Sequence, residues 1–91
     1  MDAFDRILSR TPDTTKHIIN KNLAIANRIV EILRGQGKTQ LDLARALGKS
    51  ESEISKWLTG LHNLELRTIS KIEAALGGEV IEVIGFKAIN V

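Results

Sequence analysis

The chain contains no cysteine. That excludes a disulfide framework, thiolate metal sites and a cysteine nucleophile, and it suits a reducing compartment. Aromatic side chains are nearly as scarce: Phe4, Trp57 and Phe86 are the whole set. A platform for single-stranded nucleic acid needs several stacking rings, which argues against that class. No apolar run approaches the roughly 18 residues of a membrane span. The acid-bearing start MDAFDRILSR does not read as a signal peptide, so the expected location is cytoplasmic. The two histidines, His17 and His62, stand far apart with no cysteine to complete a ligand set, so neither a metal nor a cofactor is expected. There is no Ser-His-acid order. The stretch Gly35-Gln36-Gly37-Lys38 lacks the spacing of a phosphate loop and any strand before it. An enzyme is therefore not expected.

What is present suffices for one domain. Within 91 residues there is no room for a second core. Ile, Leu, Val and Phe make up about a third of the chain, above the roughly 20% floor below which disorder is expected. Thirteen basic residues face 11 acidic ones, for a net charge of +2, with the basic excess in the first two thirds. So small an excess does not by itself identify a nucleic-acid partner.

Periodicity divides the chain into helices. Phe4, Ile7 and Leu8 recur at helical spacing, so residues 1–10 read as an N-terminal extension able to form a short amphipathic helix. Thr11-Pro12 marks the next start, with threonine as cap and proline at the first helical position. A long helix follows to about Arg34, with Ile18, Ile25, Ala26, Ile29, Ile32 and Leu33 as its inner stripe. Asn20, Asn22 and Asn27 argue for packing within the chain over a coiled-coil seam. Gly35 and Gly37 end it. Thr39 with Asp42, and Ser50 with Glu53, are capping-box patterns that open two short helices, to Leu47 and to about Thr59. Another helix spans about Glu65 to Leu76, with Ile69, Ile72 and Leu76 facing inward, and Gly77-Gly78 stops it. In residues 79–91 the period changes. Val80, Ile81, Val83, Ile84 and Phe86 suggest a short β-strand or an extended tail. A lone strand leaves both edges unpaired. It either pairs with its copy in a second chain or folds back onto its own helices.

The two short helices between Lys38 and Gly60 form a helix-turn-helix candidate. Ala44 is small where the helices would cross, and Gly48 tolerates positive φ in the turn. Leu43, Leu47, Ile54 and Leu58 can be aimed at one another. Projected at about 100° per residue, Ile54, Trp57 and Leu58 share one apolar face. That makes Trp57 a core residue. Ser52, Ser55, Lys56 and Thr59 form a continuous polar face. Such a face suits a major groove about 12 Å wide, because short hydroxyl side chains let the backbone approach the bases.

Thr39-Gln40, Leu43-Ala44, Leu47-Gly48, Ser50, Ile54-Ser55, Trp57-Leu58, Gly60 and Asn63 together resemble the helix-turn-helix of Xre-type, lambda-repressor-like transcriptional regulators. Thr68-Ile69, Lys71-Ile72 and Ala74-Ala75-Leu76-Gly77 resemble the helix that follows it in that family. The resemblance runs from about Ile18 to Gly77 and implies an all-α fold of four to five helices that binds double-stranded DNA; the domain itself is expected to occupy residues 11–78. By position, Gln40 would touch the DNA backbone or assist base reading, and Glu51, Ser52 and Lys56 would face base edges. Ser55 and Thr59 would lie at bases or phosphates, His62 and Asn63 at phosphates, and the capping Thr39 and Ser50 fall on the same DNA-binding face. Glu51 departs from the common neutral or basic residue. It either accepts from a cytosine amino group or is simply a favourable charge at a helix start. Leu61 departs too, being apolar where a basic contact is usual.

The resemblance implies a repressor acting as a homodimer on two-fold-related half-sites. An alternative of another class is an antitoxin, which would also bind a protein toxin through the segments outside residues 11–78.

Overall fold

The computed structural model describes residues 3–10 and 12–86. Five helices follow one another: α1 (Ala3–Arg10), α2 (Asp13–Gly35), α3 (Gln40–Leu47), α4 (Glu51–Trp57) and α5 (Leu66–Leu76). The fold is all-α. Of the two forms expected for the tail, the strand does not occur among the described residues; the described part runs irregularly, with a bend at Val80 and a turn at Ile84 and Gly85.

The core is built from the second half of α2 and from α3, α4 and α5. Ile29, Leu43, Ile54 and Ile72 are its fully buried side chains, one from each helix. Ile32, Leu33, Ala44, Trp57 and Leu76 complete it, and Ile25, Leu47, Leu58, Leu64, Ala75 and Val80 pack around its edge. The crossing of α3 and α4 thus uses the four apolar residues and the small Ala44 read from the sequence.

The expected inner stripe of α2 needs one correction. Ile18 is exposed, as are Ile19 and Leu23, so the buried stripe begins only near Ile25. The reason is length. Twenty-three residues make a helix about 34 Å long, and α3–α5 are too short to cover all of it. The first half of α2 and α1 extend beyond the core. Accordingly the radius of gyration is 15.1 Å, against roughly 12 Å for a compact chain of this size.

The start and stop of α2 also shift. Pro12 is the N-cap, not the first helical residue; its ψ of 145° keeps it extended while its carbonyl accepts from Lys16 N–H at 3.1 Å. The expected capping residue Thr11 lies outside the described residues. Gly35 stays inside the helix. The chain closes one step later: Gly37 N–H donates to the Arg34 carbonyl and Lys38 N–H to that of Leu33, a Schellman closure. The Gln36 side-chain amide then donates to the Leu76 carbonyl at 2.6 Å, joining the ends of α2 and α5.

Two glycines are required by geometry. Gly48 has φ +66° at the end of α3, and Lys49 N–H returns to the Ala44 carbonyl at 2.9 Å, turning the chain toward α4. Gly60 has φ +78° and is buried, and a Cβ there would collide with the Leu23 side chain. Leu23, half out of the core, is the surface on which the loop after α4 rests.

The tail does not leave the domain at Gly78. The Glu73 carboxylate accepts from Val80 N–H at 2.7 Å and Ile81 N–H at 3.1 Å. The Arg28 Nε donates to the Glu79 carbonyl at 3.1 Å. These amides would have been needed for strand pairing over the same residues. Beyond them a turn closed by Phe86 N–H to the Val83 carbonyl reverses the chain.

Two substitutions test this packing. Ala44→Leu overfills a site that is 1% exposed, which should cost about 1–3 kcal/mol. Gly60→Ala should lose a comparable roughly 1–3 kcal/mol through strain and the Leu23 collision. For a domain of this size each kcal/mol lowers Tm by roughly 4–8 °C. Melting like the parent chain would show that the helices do not cross at Ala44 or that the loop does not rest on Leu23.

Candidate nucleic-acid interface

The interface starts at Thr39. Its hydroxyl accepts from Asp42 N–H at 3.2 Å, and the Asp42 carboxylate accepts from Thr39 N–H at 2.7 Å and from its hydroxyl at 3.1 Å. This reciprocal box fixes the first turn of α3. The Thr39 N–H bond, then the Thr39 hydroxyl, hold the Asp42 carboxyl below the usual carboxylate range, with smaller help from Arg45 and Lys38. Asp42 is therefore a fixed negative charge at one edge of the surface. Ser50 caps α4 with only half of the expected box: its hydroxyl accepts from Glu53 N–H at 3.1 Å, without a return bond from the Glu53 carboxylate to the Ser50 N–H.

The α4 helix ends at Trp57, two residues before the expected Thr59, because the chain tightens there. The Thr59 hydroxyl donates to the Lys56 carbonyl at 2.8 Å and accepts from Leu61 N–H at 3.1 Å. Thr59 thus closes a helix and shapes a loop, which leaves its side chain less to offer a ligand. Thr39 is similar, since its proton goes to Asp42.

The remaining polar residues of α4 face solvent. Ile54 and Trp57 are buried while Glu51, Ser52, Ser55 and Lys56 are exposed, so the helix presents one polar side. The side chains of Ser52 and Lys56 make no hydrogen bond among the described residues. Ser55 does: its hydroxyl donates to Gln40 Oε1 at 2.8 Å. That bond ties the first residue of α3 to the outer face of α4. It engages the Gln40 carbonyl oxygen and leaves the amide nitrogen with hydrogens to donate.

His62 and Asn63 are exposed in the loop before α5. They line a polar cleft of about 270 Å³ with Lys49, Glu53, Thr68 and Lys71 among its other walls. Lys49 and Lys71 are the cations that the sequence reading missed. Lys49 was visible as a basic residue in the turn. Lys71 lies on α5, and only the fold brings it to the same cleft as Lys49.

A profile described as helix-turn-helix matches residues 29–83, more than half of the chain. The chain belongs to the Xre-type, lambda-repressor-like helix-turn-helix family. No curated protein and no solved structure matches it. The family is one of DNA-binding transcription regulators, not of enzymes, so duplex DNA is the ligand class of this helix-turn-helix protein. The matched region spans the last third of α2, the whole of α3 to α5 and the anchored start of the tail. Among the described residues no group of acidic and histidine side chains could hold a metal ion, and no helix is long and apolar enough to cross a membrane.

The Asp42 cap sets a pH dependence. A carboxyl whose folded pKa is depressed contributes stability above its unfolded value, and that contribution is lost as pH falls through the folded one. Asp42→Asn keeps an acceptor but removes the charge. The variant should be less stable than the parent at pH 7, and the gap should close below about pH 4. Urea midpoints at both pH values check this, and a gap independent of pH would show that the charge contributes nothing.

Proposed function

We propose that this helix-turn-helix protein is a sequence-specific repressor that binds duplex DNA as a homodimer, with α4 in the major groove. The observation that carries the reading is the Ser55–Gln40 hydrogen bond, which makes the start of α3 and the outer face of α4 one surface. A major groove about 12 Å wide accepts such a helix. Ser52 and Lys56 reach base edges from its exposed side. The Gln40 amide nitrogen donates to a phosphate or a purine acceptor beside them. Glu51 lies at the first turn of α4, where its charge favours the helix and where a carboxylate also suits a cytosine amino group. Lys49, Lys71, His62 and Asn63 hold the backbone from the cleft at the edge of the surface. Ser50 offers its hydroxyl proton there, while Thr39 and Thr59 act chiefly as caps.

A homodimer follows from the recognition geometry of the family's motif. Two copies related by a two-fold axis read two half-sites about one helical turn, roughly 34 Å, apart. The antitoxin reading keeps the same DNA surface and adds a protein toxin as partner. The exposed Val83, Ile84 and Phe86 outside that surface favour some protein contact.

The tests are binding measurements. Affinity for duplex DNA should fall with salt by roughly one log-log unit per neutralised phosphate. Lys56→Ala should cost about 1–3 kcal/mol and relax preference at one base pair, whereas Lys71→Ala should weaken all sequences alike and reduce the salt slope by about 1. Equal affinity of the parent chain for every duplex would overturn the sequence-specific reading.

A further inference from the structure

Two exposed apolar features stand out among the described residues. One is a groove of about 610 Å³ between the start of α5 and the tail. Its walls are Leu66, Ile81, Val83 and Phe86, of which Leu66, Val83 and Phe86 are each about two-thirds exposed or more. Its rim is acidic, formed by Glu73, Glu79 and Glu82. Glu73 first, and Glu82 more weakly, push the Glu79 carboxyl above its usual range, so the rim holds crowded negative charge, and none of the three carboxylates is in an ion pair among the described residues. The Arg28 guanidinium meets the Glu79 carbonyl and is paired at 2.8 Å with Glu31.

The other surface is α1. Its eight residues are too few to form a stable helix alone in water. Yet Ile7 is 64% exposed, and the described neighbours Asp5, Arg6, Ser9 and Arg10 are exposed as well. The sequence places Ile7 on a stripe with Phe4 and Leu8. Arg6 and Arg10 stand one turn apart on the flank next to Ile7, and Asp5 falls on the opposite flank. An apolar stripe with a basic edge is the complement of an apolar groove with an acidic rim.

We infer that α1 of a second copy of this chain docks in the groove between the tail and α5, with Arg6 and Arg10 against Glu79 and Glu82. The exchange is reciprocal under a two-fold axis, so each copy covers the other's groove and both surfaces are used. Charge complementarity selects this occupant, and the reading rests on the homodimer proposed above. Glu73 takes no primary part, because it already accepts from Val80 and Ile81.

The absence of native cysteine makes a direct test possible. Ile7→Cys and Val83→Cys are made in separate full-length chains, both at exposed positions that leave the core untouched. The two chains are mixed, allowed to exchange and oxidised. A disulfide between unlike chains should be the main product. A second arm uses charge: Arg6→Glu with Arg10→Glu should raise the dimer Kd by roughly tenfold or more, and adding Glu79→Arg with Glu82→Arg should restore it. If only like chains cross-link, or charge reversal leaves sedimentation unchanged, the docking is wrong while the homodimer stands. If a single chain carrying both cysteines closes on itself as a monomer, α1 covers its own groove and the inference fails. If the parent chain sediments as a monomer both free and on DNA, the homodimer falls with it, and a groove filled only when a foreign protein is added points to the toxin reading instead.

Discussion

Helices of eight and seven residues do not keep their shape alone in water, and α3 and α4 are no longer than that. Their shape is imposed from behind. Leu43 of α3, Ile54 of α4 and Ile72 of α5 are each at most 1% exposed and belong to one cluster with Ile29 of α2. Ala44 leaves room for the close approach of the two helices, and Gly48 provides the left-handed turn between them. The outer face of α4 is therefore as rigid as the apolar contact beneath it. No polar or charged side chain is buried among the described residues, so hydrogen bonding in the core contributes no competing demand on that geometry.

The polar residues of the same region divide into two groups by what their hydrogen-bonding groups already do. Thr39, Asp42, Ser50 and Thr59 satisfy backbone groups at helix ends, which would otherwise lack partners. Ser52 and Lys56 are left to meet a ligand. Gln40 and Ser55 stand between the groups: each is engaged with the other, and the bond between them fixes which end of the Gln40 amide faces outward. A surface that reads DNA needs donors held in place as much as donors present.

Away from that surface the chain is built differently. The first half of α2 and the whole of α1 lie beyond the reach of the core, and the start of the tail is held by Glu73 and Arg28. Apolar side chains at both ends remain in contact with water. The carboxylates around the tail and the arginines on one flank of α1 are opposite in charge. In a protein whose core is one small apolar cluster drawn from four helices, surfaces of this kind are where a second molecule adds the most.

Much of this was legible in the sequence. The capping pair Thr39 and Asp42, the turn glycine Gly48, the crossing residues Ala44, Leu43 and Ile54, and the burial of Trp57 all follow from local spacing, because each depends on neighbours within a turn or two. The all-α fold and the polar side of α4 were legible for the same reason. What spacing could not give was where the core stops. Ile18 has the same helical phase as the buried residues of α2, and only the short reach of α3–α5 leaves it in water. Nor could spacing show that Gly60 rests on Leu23, that Lys71 joins Lys49 at one cleft, or that Ser55 bonds Gln40. Those contacts join residues distant in the chain, and their partners are chosen by how the helices pack. The tail shows the difference most clearly. Its β-branched run favours an extended backbone, but Glu73 on the preceding helix takes two of its amides, and that long side chain reaching across a turn decides against a strand there.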